Sequence, residues 1–142
     1  MGKKSVMLSI EGRQSYAGQE PEVIELVTEG TLEQTETGWI ISYDESDLTG
    51  MQGVTTTFTV ENKKLILTRS GRLNSQMIFQ EGVRHESLYQ MEFGALMLSV
   101  CARKIKTELS ADGGIIDLSY GIEIEQTEAG VIDYHLDIKS QK

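Results

Sequence analysis

The residue with the clearest chemical potential in this sequence is Arg69. Leu65, Leu67 and Arg69 share one face of an extended segment, because side chains on a β-strand alternate between its two sides. A guanidinium that continues a leucine face can anchor a carboxylate or a phosphate in an otherwise apolar cavity. The alternative is a structural arginine whose stem packs on a ring such as Trp39 while its donors satisfy carbonyls or Glu45. Buried charges are usually paired within a protein, which favours the structural alternative.

Aromatic side chains on other predicted strands complete the candidate ligand site. Trp39 and Tyr43 share one face of a predicted strand, and Tyr89 belongs to another strand. Together with Arg69, these are the residues that we expect at a ligand if the interior of the protein is hollow. The same aromatic positions also fit a packed core, which is the favoured interpretation.

The remaining reactive side chains do not predict catalysis. The sequence has no nucleophile elbow, phosphate-binding loop, dinucleotide fingerprint or H-E-x-x-H zinc motif. His85 in a charged turn and His135 on the polar face of the last strand are expected to be solvated. Cys101 is expected to be a packed thiol, since no histidine pattern accompanies it. We therefore expect a protein that is not an enzyme and that needs no cofactor.

A metal site is not predicted either. An acidic segment offers oxygen ligands at Asp44 and Ser46, but Leu48 stands where a third ligand is needed. Thr49 and Thr55 replace the glycine and the closing glutamate that a calcium-binding loop requires. The segment is therefore predicted to be an acidic, solvated loop.

These residues lie on a series of short predicted strands. Alternation of apolar and polar residues indicates about ten strands at regular spacing and no convincing helix. In the segment 23–33, Val, Ile and Thr favour a strand with a bulge or bend at Gly30 over a short helix. A tight turn at 61–64 is predicted to place Asn62 at a positive φ. The whole pattern predicts an all-β, small antiparallel up-and-down β-barrel, because closure removes exposed sheet edges.

Length and composition set limits on the class of protein. The 142 residues, of which 39% are hydrophobic and 25% charged, predict a single globular domain over 1–142. One cysteine excludes an internal disulfide and fits a reducing compartment. The N-terminal apolar stretch is too short for a secretory signal, and no run of 18 apolar residues is present. A cytoplasmic protein without a membrane partner is the expectation.

The net charge of −9 is unevenly distributed along the chain. Residues 51–106 carry 8 basic and 4 acidic side chains, whereas the regions before and after them are acidic. Negative charge repels phosphate backbones, so nucleic acid is not an expected partner. We expect the basic middle strands to pair with acidic neighbours across the sheet.

Six runs of the sequence match a known family in pattern and order: SYDESDL (42–48), TTFTV (56–60), LILTRSG (65–71), MIFQEG (77–82), LYQMEFGALML (88–98) and GGIIDLSY (113–120). They resemble the corresponding runs of the YwiB-like β-barrel proteins of Firmicutes. The resemblance extends from about Val23 to Ile138 and includes an Arg-x-Gly element at Arg69 and Gly71. It implies a calycin-like, lipocalin-type small barrel in a cytoplasmic bacterial setting, but no activity and no residue role.

Two functions remain open from the sequence. The first is a binding module, a closed barrel that holds a small apolar or amphipathic ligand with Arg69 near its polar end. The second is a structural or protein-interaction module with a filled barrel, either a monomer or a homodimer formed through an exposed strand edge. An enzyme ranks behind both.

Overall fold

A computed structural model describes residues 3–16, 18–46, 52–91, 94–124 and 127–141. Nearly all of these residues belong to ten β-strands, and none of them forms a helix that could cross a membrane. The strands are β1 (Lys3–Tyr16), β2 (Glu22–Gln34), β3 (Gly38–Asp44), β4 (Val54–Glu61), β5 (Lys64–Gly71), β6 (Ser75–Phe79), β7 (Arg84–Met91), β8 (Gly94–Ser110), β9 (Gly113–Ile124) and β10 (Thr127–Ser140). The predictions for Leu48 and Thr49 fall outside the described residues.

The strands form one antiparallel sheet that curls into a nearly closed barrel. The order across the sheet is β6-β5-β4-β3-β2-β1-β10-β9-β8-β7, and every neighbouring pair is antiparallel. The two ends of the sheet meet through isolated bridges, Asn74 with Gln90 and Glu81 with Ala102. Around the barrel the strand order is therefore that of the sequence, which confirms the predicted up-and-down architecture and is consistent with a calycin-like barrel.

The core lies inside the barrel, because alternate side chains of each strand point inward. Along β4 every second residue is buried, from Val54 to Val60, and along β5 Leu65 and Leu67 are completely buried. Burial of one such leucine stabilises the fold by roughly 1.5–3 kcal/mol. The largest fully buried side chains are Tyr120, Phe58, Phe79, Leu8, Ile41, Leu65, Leu67, Ile116, Leu118, Leu136, Ile138 and Val6.

The segment predicted at 23–33 is a strand, β2, but it contains no bulge at Gly30. Gly30 pairs with Val6 of β1 without a shift in register. Its glycine is required for a different reason: a Cβ there would lie 2.5 Å from the Ser42 carbonyl oxygen and 2.7 Å from Leu8 Cδ1. Gly30 is also the residue at which pairing between β2 and β3 begins. Close packing of three strands explains this glycine.

Local details differ from the predictions at three further places. The positive φ in the β4–β5 turn, 61°, belongs to Lys63 and not to Asn62. His85 lies within β7 instead of a turn, and its Nε2 is 2.8 Å from Gln80 Oε1. The sequence predicts two separate alternating pieces around 96–100 and 105–109, but they join into the single long strand β8. β8 continues through a β-bulge between Ala102 and Lys104.

Candidate functional site

Arg69 points into the barrel, as the leucine face of β5 predicts. Its side chain is 7% exposed. The residues opposite it are small and polar: Thr56 on β4 and Ser75 on β6. Both are buried, and because their side chains are small they leave room inside the barrel for the guanidinium of Arg69.

The hydrogen bonds of Arg69 are incomplete. Nη2 donates to the hydroxyl of Tyr134 at 3.1 Å. Nε is buried and has no hydrogen-bond partner. Within the described residues no carboxylate forms an ion pair with Arg69. Burial works against this charge, but the hydroxyls of Tyr134, Tyr120 and Tyr43 favour it, and on balance its pKa lies above the usual value. The site therefore contains a permanent cation with a free donor.

The five tyrosines of the chain form one group, and three of them interact with Arg69. Tyr43, Tyr120 and Tyr134 interact electrostatically with the guanidinium, and Tyr16 and Tyr89 interact with Tyr120. They come from five different strands. Burial raises the pKa of the Tyr120 and Tyr43 hydroxyls, and the Glu45 carboxylate raises that of Tyr43 further. These hydroxyls therefore stay protonated at neutral pH, and a protonated phenol can donate a hydrogen bond.

Glu45 supplies a buried carboxylate at the end of β3. It accepts a hydrogen bond from Thr56 Oγ1 at 2.5 Å and a second one from the Tyr43 side chain. The carboxylate is 7% exposed. Glu45 and Arg69 line the same cavity, but no ion pair joins these two described side chains.

A cavity of about 80 Å³ lies beside these side chains. Arg69, Tyr43, Glu45 and Tyr134 form its polar side. Aliphatic side chains from β1, β2 and β10 form its apolar side: Ile10, Ile24, Leu26 and Ile132. An apolar space with a few convergent polar groups is typical of a small-molecule site.

Gly12 allows the ring of Tyr134 to form one wall of this cavity. The glycine lies on β1 opposite Tyr134 of β10. A Cβ at Gly12 would lie 3.2 Å from Tyr134 Cε1, so any larger residue would push the ring away. Because Gly12 has no side chain, the Tyr134 ring can lie where its hydroxyl accepts the hydrogen bond from Arg69.

The predicted site residues do not all meet in one place. Arg69 and Tyr43 line the cavity. Tyr89 belongs to the group of tyrosines but not to the cavity wall. Trp39 is the second residue of β3, four residues or roughly 13 Å along the strand from Tyr43, and it packs against the core near the other end of the barrel. The guanidinium therefore does not use Trp39 as a packing surface.

Histidines, cysteine and acidic residues elsewhere form no second reactive group. His135 Nδ1 and Asp117 Oδ1 form a hydrogen bond on the barrel exterior. Cys101 is half-buried and is a free thiol. In the described ranges no three His, Cys, Asp or Glu side chains lie close enough to hold a metal ion.

Sequence reasoning missed Tyr134, Tyr120 and Thr56 as site residues. Both tyrosines lie on apolar faces of β9 and β10, where alternation alone assigns them to the core. Thr56 looks like any polar residue of a threonine-rich strand. The sequence does not show the register of the strands. Only their pairing around the barrel brings β4, β5, β9 and β10 to one point.

Fold and site together define a small antiparallel β-barrel whose cavity is lined by an arginine, a glutamate and two tyrosines beside aliphatic side chains. A family model described as Domain of unknown function (DUF1934) matches residues 8–138, and the chain belongs to this family. The crystal structure of the ywiB protein from Bacillus subtilis is similar, with a TM-score of 0.87 and 22% sequence identity over 99% of this chain and 94% of that one. The YwiB-like barrel predicted by resemblance is thereby confirmed. No functionally curated protein matches the chain.

Proposed function

We propose that the protein is a binding module, not an enzyme, that holds a small amphipathic anion in the cavity beside Arg69. The observation that carries this proposal is a buried guanidinium whose Nε has no partner and whose charge has no counter-ion among the described residues. An uncompensated buried charge is costly to a fold. A bound carboxylate or other oxyanion would supply both the missing acceptor and the missing charge.

The donors suit an oxyanion. Nη2 uses one hydrogen for Tyr134 and keeps a second one, which lies in the same plane as Nε–H because the guanidinium is flat. Arginine commonly binds a carboxylate through two parallel hydrogen bonds. The protonated hydroxyls around it add neutral donors without adding negative charge. A neutral or cationic ligand would leave the charge of Arg69 uncompensated.

Volume limits the ligand. A cavity of about 150 Å³ is known to hold a benzene molecule, whereas this one has about 80 Å³. It therefore has room for an anionic head group and a few carbon atoms. A longer apolar part would have to extend past Ile24 and Leu26 toward the outside.

A filled, purely structural barrel is the second candidate. Below the cavity the interior is packed with aromatic rings: the Phe79 and Tyr120 centroids are 4.5 Å apart, and those of Phe58 and Tyr134 6.4 Å apart. In this alternative Arg69 and Tyr134 form an internal brace. The protein would then act through its surface, as a monomer or a homodimer, in the cytoplasm and without nucleic acid or membrane.

A larger groove on the barrel exterior fits a ligand site less well. It measures about 720 Å³ and is lined largely by charged residues of both signs, including Lys63, Glu81 and Lys106. Exposed charges of both signs are satisfied by water and by each other, so they do not call for a ligand. The cavity at Arg69 differs because its charge is buried.

Matched ligands test the proposal. Short carboxylic acids and the corresponding amides would be compared by thermal shift and by NMR titration. We expect the carboxylates to raise the melting temperature and to shift signals around the cavity, and the amides to do neither. Equal effects of acid and amide, or no effect of any oxyanion together with no retained ligand in native mass spectrometry, would refute an anion site.

Two variants make the comparison specific. Arg69→Met should weaken carboxylate binding about tenfold or more, since a hydrogen bond to a charged group contributes about 1.5–3 kcal/mol. Arg103→Met removes the same charge from the exterior of β8 and should leave binding unchanged. If both variants lose affinity equally, net charge and not the cavity governs the effect.

A further inference from the structure

The edge of β2 is incompletely paired. β2 extends over Glu22–Gln34 and pairs with β1 along almost its whole length, from Glu22 to Glu33. β3 covers only the part from Gly30 to Gln34. Along residues 22–29, no other strand of the described chain pairs with the outer edge. In a strand, alternate backbone N–H and C=O groups point to each edge, so within the described residues the outward row of this segment has no strand partner.

The outer face next to this edge has a distinct order of side chains. Val23 and Val27 are exposed large apolar residues, at 48% and 68%, and Glu25 lies between them. Glu25 stands directly opposite Glu11 of β1. Like charges directly opposite each other destabilise a sheet. Two carboxylates therefore face each other, flanked by apolar side chains that have no cover.

A second copy of the chain does not suit this edge. Antiparallel pairing of two β2 edges would bring the acidic side chains at 22, 25 and 29 of each copy close to those of the other. The same repulsion would recur at any nearby register, since acidic residues occur along the whole segment. A homodimer would have to use another surface.

We propose that residues 22–29 dock an extended segment of another protein, in which a lysine or arginine is flanked two positions away on each side by apolar residues. The added strand would extend the sheet through its backbone, the mode by which peptides bind free sheet edges. Its basic side chain would lie beside Glu25 and Glu11. Its apolar side chains would cover Val23 and Val27. The inference does not depend on a ligand in the cavity.

Peptides with one changed residue test the docking surface on the full chain. The first peptide, Thr-Val-Thr-Lys-Thr-Val-Thr, carries the proposed pattern, and the second has Glu in place of Lys. Binding would be followed by fluorescence anisotropy and by hydrogen exchange of the protein. We expect the Lys peptide alone to bind and to slow exchange of alternate amides within 22–29. An N-methylated Lys peptide, which cannot pair as a strand, should not bind.

Charge reversal on the protein gives the matched control. Glu25→Lys should weaken binding of the Lys peptide roughly fivefold and strengthen binding of the Glu peptide, because exposed cross-strand pairs contribute up to about 1 kcal/mol. Glu36→Lys, in the exposed β2–β3 turn, makes the same change of net charge and should alter neither affinity. Equal loss in both variants, equal binding of both peptides, or no binding would each overturn the proposal. So would protection, in the free protein, of those amides within 22–29 that point away from β1.

Discussion

The contribution of Arg69 to the free energy of unfolding distinguishes a ligand-binding residue from a structural one, called a brace below. A guanidinium removed from water loses hydration that one hydrogen bond to Tyr134 does not replace. Proteins retain such costs mainly where a function requires them. A brace would instead contribute to stability, and its removal would leave the surrounding polar groups without a partner.

Replacement of Arg69 by methionine tests this balance. Met keeps an unbranched stem in the same space and removes the buried charge. We expect the free energy of unfolding of the ligand-free protein to remain within about 1 kcal/mol of wild type, or to rise. Urea unfolding measures it, with Leu67→Ala on the same face of β5 as the reference, where a loss of about 2–5 kcal/mol is expected. A loss as large as that of the leucine variant would favour the brace.

The buried tyrosines predict a loss of stability at high pH. The pKa values of Tyr43 and Tyr120 are raised in the folded state above 10.0, the value for an exposed tyrosine. Their contribution to stability is therefore fully present below pH 10 and is lost above it, because only the unfolded chain ionises there. Each group should lower the free energy of unfolding by about 1.4 kcal/mol per pH unit above that point.

Urea unfolding across this pH range, with tyrosinate absorbance recorded in parallel, checks the effect. Tyr120→Phe should reduce the slope of the free energy of unfolding against pH by the contribution of one tyrosine. If all tyrosines ionise near pH 10 while the fold stays equally stable, the hydroxyls are not buried as described.

At the scale of the elements, Gly30 holds the junction of three strands. Gly30→Ala would place a Cβ against the Ser42 carbonyl and Leu8, and backbone atoms cannot move aside cheaply. We expect a loss of about 1–3 kcal/mol in the free energy of unfolding. Gly121→Ala on β9 is the control, since its nearest neighbour is the flexible end of Arg103 at 3.6 Å, and it should cost less than about 0.5 kcal/mol. Equal effects would mean that strand entropy, not close packing, governs both positions.

Prediction of the elements from sequence succeeded where alternation was strict and failed where it was interrupted. The inward faces of β4 and of the β9–β10 hairpin follow the apolar alternation. Gly30 suggested a bulge because it interrupts the pattern of a strand. The local sequence does not show which neighbouring strands pack closely on this glycine. β8 looked like two pieces, because its bulge after Ala102 reverses the parity of the apolar residues.

For the whole molecule, the net charge of −9 opposes the compact state. Raising the ionic strength from about 0.01 M to about 1 M shortens the screening length from roughly 30 Å to roughly 3 Å. The melting temperature should therefore rise with added salt. Arg69→Met should show the same rise, because screening does not need an anion site. A rise that occurs in wild type and disappears in the variant would instead indicate anion binding at Arg69.

The sequence by itself determined the class of fold and the direction of Arg69. A period of two needs only neighbouring residues, and it places Arg69 on the same face as Leu65 and Leu67 wherever β5 lies. Tertiary structure decided which side chains surround the guanidinium. Tyr134 is 65 positions away in the chain, and its hydroxyl reaches Nη2 only after the register of every intervening strand pair is set around the barrel. A pattern of neighbouring residues does not specify how distant strands are aligned with one another. The sequence therefore indicated a charge on an apolar face, and only the fold showed the cavity beside it.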